Sequence, residues 1–174
     1  MARMVGPRGS VCAMEIDPGL ASRAEAAVAS IPNLEMVVGD GVDYEGEPCD
    51  AILVNAGVTH PSRRWLTRLK SAGRLLLPLT FEFPNSHLGK GMPLKIVRSD
   101  GAFEARFLQS PIVIFSCESV RRADINEQLV EAFSTRMASL GDVKSFRLEA
   151  HEREPNCWLH TEEGCLSSRP TGSG

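Results

Sequence analysis

The sequence predicts an α/β protein whose sheet is mostly parallel, with an antiparallel hairpin in its C-terminal part. Three runs in the first half, at 11–16, 34–38 and 49–55, are apolar on both faces. Such strands belong in a parallel sheet that helices cover. After residue 92 the pattern changes to two alternating runs around Ser99-Asp100-Gly101, which is a hairpin signal.

The first predicted strand is "SVCAMEID", and a helix follows it directly. Asp17 is a suitable N-cap residue and Pro18 suits the first helical position. An apolar face continues to Ile31, before Pro32-Asn33 ends the helix. "LEMVV" and "CDAILVN" are the next two strands, and the segment between them is too short and polar to predict a helix.

Further helices are predicted from an apolar face and an end signal. "PSRRWLTRLKSAG" has Trp65 on its apolar face and Gly73 as its terminator, and the strand "RLLLPLT" follows. Asp124 and Glu127 resemble a capping box that opens a helix ending at Gly141. The remaining strand-like segments are "SPIVIFS", "FRLEAHE" and "CWLHT".

Composition predicts an ordinary globular protein of one domain, over residues 1–166. The tail from 167 to 174 is small and polar, so we expect it to be disordered. A net charge of -3 gives no electrostatic case for binding nucleic acid. No apolar run approaches the roughly 18–20 residues that span a bilayer, so no membrane partner is predicted.

The five cysteines are widely spaced and odd in number, and no signal peptide precedes them. Reduced thiols in a cytoplasmic protein are the simpler interpretation. Cys157-Trp-Leu-His160 with Cys165 has some likeness to a metal site, but zinc usually takes four ligands and a second pair is lacking. His151 has no identifiable partner. The sequence therefore predicts no metal site, and "CWLHT" is interpreted as an edge strand with Trp158 buried.

Acidic and glycine residues follow the first two predicted strands. A carboxylate at Glu15 could accept hydrogen bonds from both hydroxyls of a ribose, and the alternative is a surface acid near a helix start. Asp40 lies between Gly39 and Gly41, which would let a flat ring approach. It could accept from an adenine amino group, or it could form an Asx-type turn.

The third strand ends in Asn55-Ala56-Gly57, which could line the floor beneath the same ligand or form an ordinary turn. In open α/β sheets ligands bind outside the carboxyl ends of the strands. Three successive strand ends of this kind therefore predict one nucleoside crevice. His60 could face a substrate as a base, or it could be a loop residue before Pro61. No pattern of nucleophile and base identifies a catalytic residue.

Four segments resemble class I S-adenosylmethionine-dependent methyltransferases, and more closely the protein-L-isoaspartate O-methyltransferase family. They are "VCAMEIDPGLASRAEAAV", "VVGDG", "CDAILVNAG" and "LKSAGRLLLPLT", and the resemblance covers roughly residues 1–115. It implies a Rossmann-like fold, S-adenosyl-L-methionine as cofactor and a protein or peptide carboxylate as methyl acceptor. It also implies a set of cofactor-binding residues: Glu15 at the ribose hydroxyls with Ile16 next to it, Asp40 at the adenine between Gly39 and Gly41, and Asn55 and Ala56 near the methyl end.

The resemblance has one departure. The family's first strand and glycine-rich loop would lie upstream of Met1, and "HLGKGMP" is a lone Gly-x-Gly without the strand-loop-helix context. We therefore expect a methyltransferase domain without its first, central strand. Its two facing edges could pair directly, another chain could supply the strand, or the chain could fold poorly; a homo-oligomer also stays open.

Two other functions stay open at this point. One is a non-catalytic interaction protein built on a methyltransferase scaffold, which fits the lack of a glycine loop. The other is a nicotinamide-dependent oxidoreductase, which would also use an acid at Glu15 but needs the same loop. Asn55-Ala56-Gly57-Val58 differs from the Asn-Pro-Pro-Tyr type of turn associated with methylation of base amino groups, which argues against nucleic acid as acceptor.

Overall fold

The computed structural model describes residues 1–172, and the chain divides into two compact units. The first unit covers residues 1–46 and the second begins at Glu47. The two residues beyond 172, which belong to the predicted tail, lie outside the described part. None of the helices in residues 1–172 is long and apolar enough to cross a membrane.

The first unit is a two-stranded parallel sheet with a helix connecting its strands. Its elements are α1 (Ala2–Val5), β1 (Val11–Glu15), α2 (Pro18–Val28), β2 (Leu34–Val38) and a 3₁₀ turn at Gly41–Asp43. Strands β1 and β2 pair from Val11↔Leu34 to Glu15↔Val38. This register brings the carboxyl ends of both strands to the same edge, as the sequence predicts.

Two side-chain interactions organise this unit. Asp17 is the N-cap of α2, and its Oδ1 accepts from the Leu20 backbone N–H at 2.7 Å. The Asn33 side-chain amide donates to the carbonyl oxygens of Ala2, Gly6 and Gly9 at 2.9–3.2 Å. The predicted cap is confirmed, and Asn33 holds the N-terminal segment against the start of β2.

We expect Asp17→Ala to lower the free energy of unfolding of this unit by about 0.5–2 kcal/mol, because a helix N–H loses its acceptor. Far-UV circular dichroism of the variant during urea unfolding measures this. Asp17→Asn, which keeps a capping oxygen, should recover most of the loss. Equal destabilisation by alanine and asparagine would contradict a capping role.

The second unit contains an eight-stranded sheet with the order β3-β4-β5-β6-β8-β10-β9, in which β7 also pairs with β5. Its strands are β3 (Cys49–Leu53), β4 (Leu69–Phe81), β5 (Leu88–Ser99), β6 (Ala102–Phe107), β7 (Ile112–Phe115), β8 (Ser145–Arg147), β9 (Cys157–Thr161) and β10 (Gly164–Ser167). Its helices are α3 (Arg63–Arg68) and α4 (Ala123–Thr135), with 3₁₀ turns at Glu118–Val120 and Met137–Asp142.

Parallel pairing joins β1 to β2 and β3 to β4, as expected for these apolar runs, but the two pairs belong to two separate sheets and not to the one sheet that the sequence predicts. The predicted hairpin is also present, since β5 and β6 are joined at Asp100-Gly101. The antiparallel part is larger than one hairpin, however, because all the other strand pairs of the second unit are antiparallel. The α/β class is confirmed, and the antiparallel extent is corrected.

Three predicted boundaries differ from the structure. Helix α3 ends at Arg68 because Leu69 already pairs with Cys49 in the sheet. Gly73 does not end a helix; it lies in β4, where a Cβ would come within 2.8 Å of the Lys70 carbonyl oxygen. Helix α4 begins before Asp124, whose carboxylate binds Arg122 instead of forming a capping box. It ends at Thr135 and not at Gly141, which lies in the 3₁₀ turn that follows.

The first residues of the predicted tail pack against the sheet. Ser167 is a fully buried residue of β10, and the Ser145 hydroxyl donates to the Arg169 carbonyl oxygen at 2.6 Å. Strand β10 pairs with β9 on one side, and the other side of β9 is the edge of the sheet. The prediction of "CWLHT" as an edge strand with Trp158 buried is thus confirmed.

The core of the second unit is formed by one face of the sheet and by α4. Phe133 of α4 packs against Phe81 and Trp158, with ring centroids 5.5 and 5.2 Å apart. Phe107 contacts the same indole at 4.9 Å. The fully buried large side chains include Leu66, Leu69, Leu75, Leu77, Leu79, Leu94, Ile96, Ile125, Leu129 and Leu166.

Candidate functional site

Glu15 and the Gly39-Asp40-Gly41 loop lie together at one edge of the first unit. Glu15 ends β1 opposite Val38, and the Gly39 backbone N–H donates to the Glu15 carbonyl oxygen at 2.9 Å. Gly39 has a φ of 157°, which residues with side chains rarely adopt. The sequence prediction that these two strand ends adjoin is confirmed in this unit.

Each of the two carboxylates already makes one local contact. Glu15 Oε1 accepts from the Asp17 backbone N–H at 3.0 Å, beside the start of α2. Asp40 Oδ1 accepts from the Val42 backbone N–H at 2.9 Å and caps the 3₁₀ turn. The Asx-type turn that the sequence leaves open for Asp40 is therefore present. Contacts of either acid with a ribose or an adenine stay predictions.

Ile16 directly follows Glu15, and its side chain is 66% exposed. Val38, which pairs with Glu15 on the neighbouring strand, is 59% exposed. Large apolar side chains at the edge that carries the acid provide a surface on which a flat ring could pack. In the sequence, only the family resemblance indicates a role for Ile16 at the cofactor, because the apolar pattern alone would place Ile16 inside the strand.

Asn55 and Ala56 follow β3 and belong to the second unit, so their place in a shared crevice stays a prediction. The segment is held by backbone hydrogen bonds from Val54 N to Leu76 O at 2.9 Å and from Gly57 N to Phe115 O at 2.8 Å. A Cβ on Gly57 would lie 2.5 Å from the Thr80 hydroxyl oxygen. Close packing against β4 thus explains the glycine, while Asn55 itself is exposed.

His60, three residues after Gly57, is partly buried. Its Nδ1 lies 3.0 Å from the Thr59 hydroxyl oxygen, and that hydroxyl also accepts from the Arg122 backbone N–H at 3.1 Å. Desolvation lowers the pKa of His60 below its usual value. These contacts are those of a packed loop residue, and no observation assigns His60 to a substrate.

Sequence reasoning missed one cluster in the second unit. The ligand atoms of His151, Cys157, His160 and Cys165 all lie within 4.8 Å of one another. His151 is the fourth group that the pattern Cys157…His160…Cys165 lacks in the sequence. It comes from the loop between β8 and β9, and nothing in its spacing marks it as a partner.

These features define a class of protein: a Rossmann-like α/β protein with acidic and glycine residues at its strand ends. Residues 1–88 of the 174 match the family model described as "Protein-L-isoaspartate(D-aspartate) O-methyltransferase (PCMT)". The chain belongs to this family, among the class I S-adenosylmethionine-dependent methyltransferases. The resemblance stated from the four sequence segments is therefore confirmed.

Named relatives agree with this assignment, and one solved structure shares the fold. The chain is 38% identical over 82 residues to protein-L-isoaspartate O-methyltransferase 2 of Archaeoglobus fulgidus, covering 45% of this chain and 37% of that protein. It is 34% identical over 88 residues to the enzyme of Thermotoga maritima, covering 47% and 27%. A solved protein-L-isoaspartate O-methyltransferase superposes with a TM-score of 0.56 at 20% identity, over 85% of this chain and 43% of the other. The chain thus spans less than half the length of these relatives.

Proposed function

We propose that this chain binds S-adenosyl-L-methionine and acts in the O-methylation of isoaspartyl carboxylates in proteins. The observation that carries the proposal is the junction of Glu15 with the Gly39-Asp40-Gly41 loop at one sheet edge, in a chain of this family. S-adenosyl-L-methionine would supply the methyl group and the carboxylate of the substrate would receive it.

The residues of the first unit fit the nucleoside half of this cofactor. Glu15 is half-buried, and its carboxylate has acceptor sites for a ribose diol beyond the one that binds the Asp17 N–H. Ile16 offers an exposed apolar surface to the base, and Asp40 offers a second acceptor at the neighbouring strand end. Asn55 and Ala56 are proposed to lie nearer the methionine end.

Methylation of a carboxylate does not require acid or base catalysis by the protein. A carboxylate is ionised at neutral pH, so it is already a nucleophile and needs no general base. The protein would contribute positioning and exclusion of water. This accounts for a site in which no catalytic residue is identified.

Calorimetric titration with S-adenosylhomocysteine tests the cofactor part of the proposal, with NADH as the comparison ligand. We expect saturable heat at micromolar S-adenosylhomocysteine and none with NADH. No heat at millimolar ligand would contradict the proposal and favour a non-catalytic scaffold, and binding of NADH alone would favour the oxidoreductase.

The acceptor is tested separately by transfer of a radiolabelled methyl group to an isoaspartyl peptide. The matched control is the same peptide with an ordinary aspartyl residue. We expect label only in the isoaspartyl peptide, as a base-labile ester. Cofactor binding with equal labelling of both peptides would contradict the acceptor assignment while leaving the cofactor assignment intact.

A further inference from the structure

His151, Cys157, His160 and Cys165 form the densest group of metal-ligating side chains in residues 1–172, and the proposed methyl transfer does not use them. Their ligand atoms lie within 4.8 Å of one another. Cys157 and Cys165 are buried, and both histidines are partly buried. Two thiols and two imidazoles are the donor set that structural zinc sites use.

A β-bulge brings three of these side chains to one face of the sheet. Cys157 and His160 are three residues apart, so a regular strand would place them on opposite faces. The pairing of β9 with β10 shifts by one residue, however, with Leu166 opposite Leu159 but Ser167 opposite Cys157. The shift skips Trp158, and Cys157 joins the face on which His160 pairs with Cys165.

The fourth side chain is oriented from outside the sheet. His151 Nδ1 lies 2.9 Å from the Glu149 carbonyl oxygen, and Nε2 lies 3.5 Å from Cys157 Sγ. An Nδ1–H donated to that carbonyl leaves Nε2 as a lone pair facing the sulfur. Metal-binding histidines are commonly held in this way by a backbone carbonyl.

The distance between His151 Nε2 and Cys157 Sγ equals the sulfur–nitrogen distance expected between two ligands of a tetrahedral zinc ion. Zinc–sulfur and zinc–nitrogen bonds of about 2.3 and 2.05 Å at a tetrahedral angle separate sulfur from nitrogen by about 3.5 Å. The Nε2–Sγ distance is 3.5 Å. The widest separation in the cluster is at most 4.8 Å, so binding requires the other pairs of ligand atoms to approach one another by roughly 1.5 Å or less.

The surroundings also favour a cation at this point. The Glu154 backbone N–H donates to Cys157 Sγ at 3.3 Å, an interaction that stabilises a thiolate. His160 Nδ1 is buried and has no hydrogen-bond partner within the described residues.

We propose that His151, Cys157, His160 and Cys165 form a tetrahedral Zn²⁺ site that ties the 148–156 loop to the β9–β10 hairpin. Binding converts two thiols to thiolates and releases two protons, and the resulting site of Zn²⁺, two thiolates and two neutral imidazoles carries no net charge. All four positions in such a site are protein ligands, so its role is structural. The proposal is independent of the methyltransferase assignment.

Metal analysis of the purified full chain, expressed with zinc and dialysed without chelator, tests the proposal. We expect one zinc per chain by plasma mass spectrometry, and X-ray absorption showing two sulfur and two nitrogen neighbours. Cys157→Ser/Cys165→Ser should lose the zinc, while the control Cys12→Ser/Cys117→Ser should keep it. Substoichiometric metal in the wild-type chain, or equal metal in both variants, overturns the proposal.

A second measurement on the wild-type chain removes the dependence on variant folding. Iodoacetamide labelling, located by peptide mass spectrometry, should modify Cys157 and Cys165 slowly as purified and at least tenfold faster after chelation. Exposed Cys12 should react at the same rate in both states. A Cys157–Cys165 disulfide, or rates that chelation leaves unchanged, overturns the proposal.

Discussion

Glu15→Ala is expected to weaken S-adenosylhomocysteine binding about 10- to 150-fold. A hydrogen bond to a charged group contributes roughly 1.5–3 kcal/mol, and each 1.4 kcal/mol is a tenfold change in affinity. Glu15 lies where the carboxyl ends of β1 and β2 meet, and its proposed partners are both ribose hydroxyls. Isothermal titration calorimetry of the variant against the wild-type chain measures the change.

Two controls separate ligand binding from local folding. Glu15→Gln keeps an oxygen for the Asp17 backbone N–H but loses the charge and one acceptor, so it should still bind much more weakly. Glu35→Ala removes an exposed carboxylate near the start of β2, away from the strand ends, and should leave binding unchanged. Wild-type affinity in both Glu15 variants would contradict the ribose assignment.

The sequence predicts well the features that local chemistry decides. The N-cap at Asp17 and the turn at Asp100-Gly101 each depend on a few adjacent residues. The adjacency of Glu15 and Asp40 follows from the strand-helix-strand order, because a helical connection makes β1 and β2 parallel. These features could be predicted because short-range signals and the tertiary structure agree here.

The features that were missed are those that tertiary contacts decide. The segment 69–73 continues the helical pattern of α3, but pairing with β3 draws it into β4, where Ala72 has a φ of 60°. Asp124 has the spacing of a capping box, yet the nearby guanidinium of Arg122 binds it. In both cases partners far along the chain or outside the motif outweigh a local preference.

The His151 cluster could not be predicted for a related reason. Its assembly requires the shift in pairing at Trp158, and a bulge has no reliable sequence signal when no glycine marks it. It also requires the backbone carbonyl of Glu149 to orient His151. Counting ligands along the chain therefore finds three groups, whereas the fold supplies the fourth.

Leu77→Ala is expected to lower the free energy of unfolding of the second unit by about 2–5 kcal/mol, the cost of removing a buried leucine side chain and leaving a cavity. Leu77 is fully buried in β4 and pairs with Leu94 of β5, which is also fully buried. Denaturant unfolding followed by tryptophan fluorescence measures the loss. Both tryptophans, Trp65 and Trp158, lie in this unit, so the signal reports on it alone.

Leu53→Ala is the matched control, because Leu53 ends β3 in the same unit but is 47% exposed. Its truncation removes less buried surface and leaves no enclosed cavity, so we expect less than about 1 kcal/mol of destabilisation. Equal losses for the two variants would mean that β4 does not form the centre of this core. A large loss at Leu77 alone would show that the buried Leu77–Leu94 pair of β4 and β5 contributes more to the stability of the second unit than the exposed end of β3 does.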